Sequence, residues 1–174
     1  MSFGTERELA QNPIHPSKTA IGIDLGISKL ITTSNSEVIK PKNSFKANQI
    51  KLAALQRQFS RKALSSLNWK KQNRKTQKLH HHIANIRPDY LHKITTNISK
   101  NHAMIACEDL KVANMSKSAS GTLENRGRNV KAKSGLNKSI LDQGWGMMID
   151  MLEYKQQWQG GLLIKVNPRY TSQT

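Results

Sequence analysis

The chain has 174 residues, with 28 Lys and Arg against 11 Asp and Glu, a formal net charge of +17 and a single cysteine. That length suits one domain able to bury a core, and the surplus of positive charge calls for a polyanionic partner. One cysteine excludes an internal disulfide and a cysteine-based zinc site, and no apolar run has the length of a membrane span or a signal-peptide core, so a soluble, intracellular protein is expected.

Residues 1–18 mix polar residues with two prolines and read as a tail or linker. From Thr19, the run TAIGIDLGISKLITTS sets β-branched and aliphatic residues around a Gly-containing centre. It predicts two strands joined as a hairpin near Gly26. Glu37 to Lys40 (EVIK) predicts a short third strand, ended by Pro41.

Helical character begins near Ser44 and continues, with breaks, to about Asn101. Ile50, Leu52, Leu55 and Phe59 give one apolar face at three- and four-residue steps, and Leu79, Ile83, Ile86, Tyr90, Ile94 and Ile98 repeat it. Ser65 to Asn68 (SSLN) should separate two helices, because Ser and Asn compete for backbone hydrogen bonds and serve as caps. A kink or restart is expected at Pro88.

This basic helical segment, about 44–101, has an almost unopposed positive surface. Arg57, Arg61, Lys62, Lys70, Lys71, Arg74, Lys75 and Lys78 are its candidate nucleic-acid-binding residues; Lys51, Arg87 and Lys93 add to the charge, and Asp89 is the lone acid between Lys51 and Lys93. An ordinary solvated face interleaves both signs, so contact with phosphates is the favoured reading. Trp69 is read as an anchor between the helices rather than a base-stacking platform. His80, His81 and His82 would splay about 100° apart on a helix and are assigned no metal.

Ala103 to Leu110 (AMIACEDL) predicts a buried strand whose C-terminal end carries Glu108 and Asp109, with Cys107 as a small buried strand residue. About 111–139 follows as a flexible basic loop rich in Ser, Asn, Gly and Lys. Ile140 to Trp158 returns to helical spacing, and Gly161 to Val166 (GLLIKV) is a further strand. Residues 19–174 are thus expected to form one mixed α/β domain.

Asp24 and Glu108 are the candidate catalytic, metal-binding carboxylates. Each sits at a strand position where apolar neighbours make an unused charge costly, and a divalent metal meets that need. Phosphodiester cleavage needs charge neutralisation at the attacking and leaving oxygens, which two metal ions about 3.5–4 Å apart provide. Carboxylate oxygens favour Mg²⁺ or Mn²⁺ over zinc. A strand aspartate can equally be a structural acid bonded to backbone amides.

The runs IGIDLGISKLITTS, LAALQRQFSRKALSSLNWKKQNRKTQKLHHHIANIRPDYLHKITTNISKNH, AMIACEDLKVANM and VNPRYTSQT together resemble the RuvC-type portion of TnpB, also called OrfB, of insertion-sequence elements. The resemblance implies an RNase H-like (RuvC-type) fold, a mixed sheet with long basic helices inserted between strands. It also implies a transposon-associated, RNA-guided DNA endonuclease, of a kind long called transposase and related to the type V CRISPR effectors. Asp24 falls on the family's first catalytic acid and Glu108 on its second, whereas Asp109 has no assigned catalytic role. DNA and a guide RNA are the implied partners, and the prokaryotic cytoplasm, with nucleoid association, is the implied location.

Family members also carry an upstream region that handles guide RNA and, beyond TSQ, a four-cysteine zinc ribbon and a third catalytic Asp. This chain ends before both. The expectation is therefore a chain truncated at both ends and inactive alone, completed by a missing C-terminal half or by a homo-oligomer. Two rivals remain: a non-catalytic DNA- or RNA-binding remnant, and an actin- or sugar-kinase-like ATPase suggested by the D-x-G of Asp24, Leu25 and Gly26. The long cationic helices serve no purpose in binding a small nucleotide.

Overall fold

The computed structural model describes residues 14–122 and 124–167. In chain order they form β1 (Ala20–Leu25), β2 (Ile31–Thr33), β3 (Val38–Ile39), α1 (Ser44–Ser60), α2 (Leu67–Asn101), β4 (Met104–Glu108), α3 (Val112–Met115), α4 (Val130–Gln143), α5 (Trp145–Gln159) and β5 (Leu162–Val166). Two compact units are interleaved along the chain. Among the described residues, the first comprises 14–39, 92–110 and 146–167, and the second comprises Lys40–Leu91 and Lys111–Trp145.

The first unit is built on a five-stranded mixed sheet in the order β3-β2-β1-β4-β5. β1 pairs antiparallel with β2, as the hairpin pattern predicts, and parallel with β4; β4 in turn runs parallel to β5. Strand side chains alternate between faces. One face carries Ile21, Ile23, Leu25, Ile105 and Cys107, all buried, and the unit's core is completed by Ile98 of α2 and by Met148 and Leu152 of α5. Polar side chains tie the same helices together: Lys155 Nζ donates to the His92 carbonyl at 2.9 Å and to the hydroxyls of Thr95 and Thr96 at 2.7 Å each. Burial holds the Lys155 ammonium below its ordinary pKa.

Residues 1–13 of the expected tail lie outside the described residues. Residues 14–18 are anchored: the buried His15 donates from Nε2 to the Ser99 carbonyl at 2.8 Å and accepts the Ser17 amide on Nδ1.

The second unit holds the α1–α2 hairpin. Leu52, Leu79 and Ile83 form its apolar seam, flanked by Phe45 and Leu55. Trp69 stacks at a tilt on Phe59 with centroids 5.0 Å apart, the anchoring role expected of it. The helix break falls at residues 61–66, where Ser65 has φ +61° and the Ser66 hydroxyl accepts the Trp69 amide as an N-cap.

α1 lacks a cap of its own: Asn43 makes no side-chain cap bond and the first turn holds no acid. The buried carboxylate of Asp142, on α4, takes that place. It accepts the amides of Phe45 at 3.1 Å and Lys46 at 3.2 Å, and the Arg87 guanidinium meets it at 3.2 Å. Arg87, expected in the basic surface, is therefore turned inward to a carboxylate partner.

Three further expectations are corrected. α2 runs unbroken through Pro88, so no restart occurs there; packing along the helix outweighs the one lost rung of its ladder. The stretch 111–139 is not one flexible loop, because α3 and nearly three turns of α4 occupy much of it. Lys133 Nζ bonds the Met115 carbonyl, and Asn137 Nδ2 bonds those of Ser116 and Lys117. The helix expected over 140–158 is split at Gly144, whose φ of +71° suits glycine. A Cβ there would come within 2.7 Å of Arg87 Cδ.

Candidate active site and nucleic-acid surface

β1 and β4 are in parallel register with Ile23 opposite Cys107. The next step along both strands sets Asp24 beside Glu108, on the face opposite the buried Ile23 and Cys107. Neighbouring strands lie about 4.8 Å apart, so two carboxylates leave the sheet side by side. Register extends the row on both sides: Asp24 is opposite Thr32 of β2, and Glu108 is opposite Val166 of β5. These four residues, with Gly22, Ser34 and Ala106, line an open cavity of about 490 Å³. Its floor is low because Gly22 and Ala106, themselves in register, carry little or no side chain.

Asp24 is exposed and Glu108 half-buried. Among the described residues the Asp24 carboxylate has no hydrogen-bond or ion-pair partner. The Asp109 amide donates to the Val166 carbonyl at 2.8 Å, closing the end of β4 onto β5. Ser34 accepts the Gly22 amide on Oγ at 3.2 Å. Thr32 and Ser34 are oxygen-bearing neighbours that the sequence pattern does not single out, since only strand pairing brings them to Asp24.

Cys107 belongs to the buried face. Burial raises its thiol pKa, Asp109, Glu153 and Glu108 raise it further, and Lys165 opposes them. A raised thiol is a poor nucleophile at neutral pH, in keeping with the structural role expected of it.

The second unit displays the cations. Arg57, Arg61, Lys62, Lys70, Lys71, Arg74, Lys75 and Lys78 are all exposed. At about 100° per residue, the five on α2 occupy an arc of about 140°. The buried Gln72, Thr76, Leu79 and Ile83 point the opposite way. The periodicity that buries one side of the helix thereby gathers its charge on the other. His80, His81 and His82 are likewise exposed.

Residues 4–119 match the family described as "Probable transposase" (OrfB_IS605). The chain belongs to this transposase family. It is the family whose resemblance the IGIDLG and ACEDL runs carry, under its name TnpB or OrfB. Residues 145–174 match the family described as "Cas12f1-like, TNB domain".

The chain is 61% identical over 173 residues to "Putative RNA-guided DNA endonuclease InsQ" of Escherichia coli (strain K12), covering 99% of this chain and 43% of the relative. It is 33% identical over 160 residues to "Putative RNA-guided DNA endonuclease" of Streptomyces pristinaespiralis, covering 92% of this chain and 36% of the relative. The chain thus spans less than half the length of either. Its fold is similar to that in the cryo-EM structure of a Cas12f1-sgRNA-target DNA complex, with a TM-score of 0.56 and 16% identity over 93% of this chain and 32% of that one. Among the described residues, no helix is long and apolar enough to cross a membrane.

Proposed function

We propose that the chain carries part of the nuclease core of an RNA-guided DNA endonuclease, with an RNase H-like (RuvC-type) first unit in which Asp24 and Glu108 hold Mg²⁺ or Mn²⁺ for phosphodiester cleavage. The observation that carries the reading is the pair itself: two carboxylates on adjacent central strands, in register, aimed into one open cavity. The names of both relatives, and the guide RNA and DNA bound in the similar structure, support guide RNA and DNA as partners of the intact protein.

The donor set fits a hard, oxygen-seeking cation. Mg²⁺ is commonly held by one or two carboxylates, with water and substrate phosphate completing its shell. Among the described residues, no group of three or more His, Cys, Asp or Glu could hold a metal, so Asp24 and Glu108 form a two-donor site. A bound ion supplies Lewis-acid neutralisation of charge on the phosphoryl oxygens. Asp24 and Glu108 bind and orient it, the small residues Gly22 and Ala106 leave room above the sheet for a phosphodiester, and the exposed cations of α1 and α2 hold the polyanion's backbone.

Two carboxylates leave most of the coordination shell of such an ion to water and substrate oxygens. Titration with Mn²⁺, followed by its paramagnetic signal, tests the site. Wild type should bind, and Asp24→Asn and Glu108→Gln should each lose binding while keeping the circular dichroism of the fold. Equal Mn²⁺ binding by all three would remove the pair from the proposal. Incubation with single-stranded DNA and Mn²⁺ separates chemistry from binding: cleavage abolished by Asp24→Ala supports the nuclease, whereas binding without cleavage supports a non-catalytic nucleic-acid-binding chain.

A further inference from the structure

The stretch from Lys111 to Lys138 holds seven cations against one acid, Glu124, and the basic stripe of α1 and α2 does not account for it. One of the seven is structural: Lys133 is half-buried and spends its ammonium on the Met115 carbonyl at 2.6 Å. The other six, Lys111, Lys117, Arg126, Arg128, Lys131 and Lys138, are exposed, and none forms an ion pair among the described residues. A surface evolved only for solubility interleaves the two signs. This one does not.

The segment is also held in place. Gly121 and Arg126 bridge as an antiparallel pair, the Gly127 amide donates to the Ser120 carbonyl at 2.9 Å, and the Thr122 amide donates to the Asn125 carbonyl at 3.0 Å. Asn137 fastens the start of the segment to α4 through the carbonyls of Ser116 and Lys117. Arg126 sits on this bridge and Lys131 and Lys138 on α4, and cations on ordered backbone lose less freedom on binding than cations on a loose loop. Two of the six are arginines, whose planar fork meets phosphate in a bidentate fashion. The hydroxyls of Ser118, Ser120 and Thr122 lie between the cations in sequence, and such groups contribute to backbone contacts of nucleic acids.

We propose that residues 111–138 form a second phosphate-binding surface, which takes the sugar-phosphate backbone of a nucleic-acid strand independently of the α1–α2 stripe. The inference rests on the nucleic-acid-binding part of the proposed function and is independent of its metal site.

The test is a variant with Arg126→Gln, Arg128→Gln, Lys131→Gln and Lys138→Gln, beside a stripe variant with Lys70→Gln, Lys71→Gln, Arg74→Gln and Lys75→Gln. Both are measured in EDTA by fluorescence anisotropy on single-stranded RNA, single-stranded DNA and duplex DNA. Removing one cation from a phosphate reduces the salt slope of the logarithm of affinity by about 0.7 to 0.9. Removing four flattens it by about 3, so between about 50 and 200 mM salt the wild type should lose roughly 50- to 150-fold more affinity than the variant. The nucleic acid that shows this flattening identifies the strand as RNA or DNA.

Because the four side chains are exposed, thermal unfolding of the variant should match that of wild type. A salt slope unchanged on all three nucleic acids, with the stripe variant still flattened, overturns this inference and leaves the stripe intact. Failure of the wild type to bind any of the three overturns both surfaces.

Discussion

Asp142 offers the sharpest test of how the second unit is held. Its side chain is 4% exposed and faces an Arg87 side chain that is 27% exposed. In Asp142→Ala the guanidinium loses its carboxylate, and the amides of Phe45 and Lys46 lose the acceptor that stands in for a cap on α1. Loss of an N-cap costs about 0.5–2 kcal/mol, and breaking a buried ion pair by removing one partner costs about 3–5 kcal/mol. The two effects share one carboxylate and do not add, so about 3–5 kcal/mol is the expected loss. That is a large part of the roughly 5–15 kcal/mol that stabilises a typical domain.

Urea unfolding followed by helical circular dichroism would measure the loss. Asp142→Asn, which retains one acceptor oxygen and no charge, should fall between wild type and Asp142→Ala. A cycle with Arg87→Met should return a coupling above about 1 kcal/mol, because the two residues share a hydrogen-bonded pair. A loss below about 1 kcal/mol for Asp142→Ala, or no coupling to Arg87, would show that the carboxylate neither caps α1 nor holds Arg87.

Pro88→Ala should raise the unfolding free energy measured in urea, by up to about 3 kcal/mol, because α2 already runs through this position and alanine restores an amide toward the Ala84 carbonyl; a lowered value would mean that the proline packs to advantage. The Lys155 pKa is lower in the folded chain than in the unfolded one. Between those two values the unfolded state holds more protons, so stability rises with pH over that alkaline window. Lys155→Met should abolish the rise, and an unchanged pH dependence would trace it elsewhere. Cys107 is buried with its thiol pKa raised, so a thiol reagent should label the native chain only as fast as the sheet opens. Rapid labelling of folded protein would contradict its place in the core.

The parts of the fold written in short-range chemistry are legible in the order of residues alone. Alternation around Gly26 and in ACEDL marks the strands, and Asp24 and Glu108 stand out as charges set among apolar residues. Ser66 caps α2 where the SSLN run predicts a boundary. The remainder depends on pairings across long separations. Arg87 counts as one more cation until Asp142, 55 residues away, turns it inward. Thr32 and Ser34 are ordinary polar strand residues until register sets them around Asp24. Low apolar periodicity in 111–139 suggests a loop, yet helix α4 forms there through bonds from Lys133 and Asn137 that no local pattern encodes.

Two carboxylates side by side repel the phosphate on which the proposed chemistry would act. At about 5 Å, like charges at a protein surface oppose each other by several kcal/mol, and a phosphodiester brought to them adds a third negative charge. Two features of this chain answer that difficulty. The carboxylates are oxygen donors suited to a divalent cation, which changes the sign of the charge that the phosphate meets. The second unit sets ten exposed cations on α1, α2 and the turn between them, with six more along residues 111–138, and in the proposed reading these hold the polymer's backbone with charge that the acids do not supply. The net charge of +17 is unevenly apportioned: acid lies in the cavity and base covers the surfaces of the second unit, the arrangement that the proposed roles call for. Asp24→Asn should then weaken Mn²⁺ binding without weakening nucleic-acid binding in EDTA. If nucleic-acid affinity fell in step with metal binding, the two tasks would share one site, and the division proposed for the two units would be wrong.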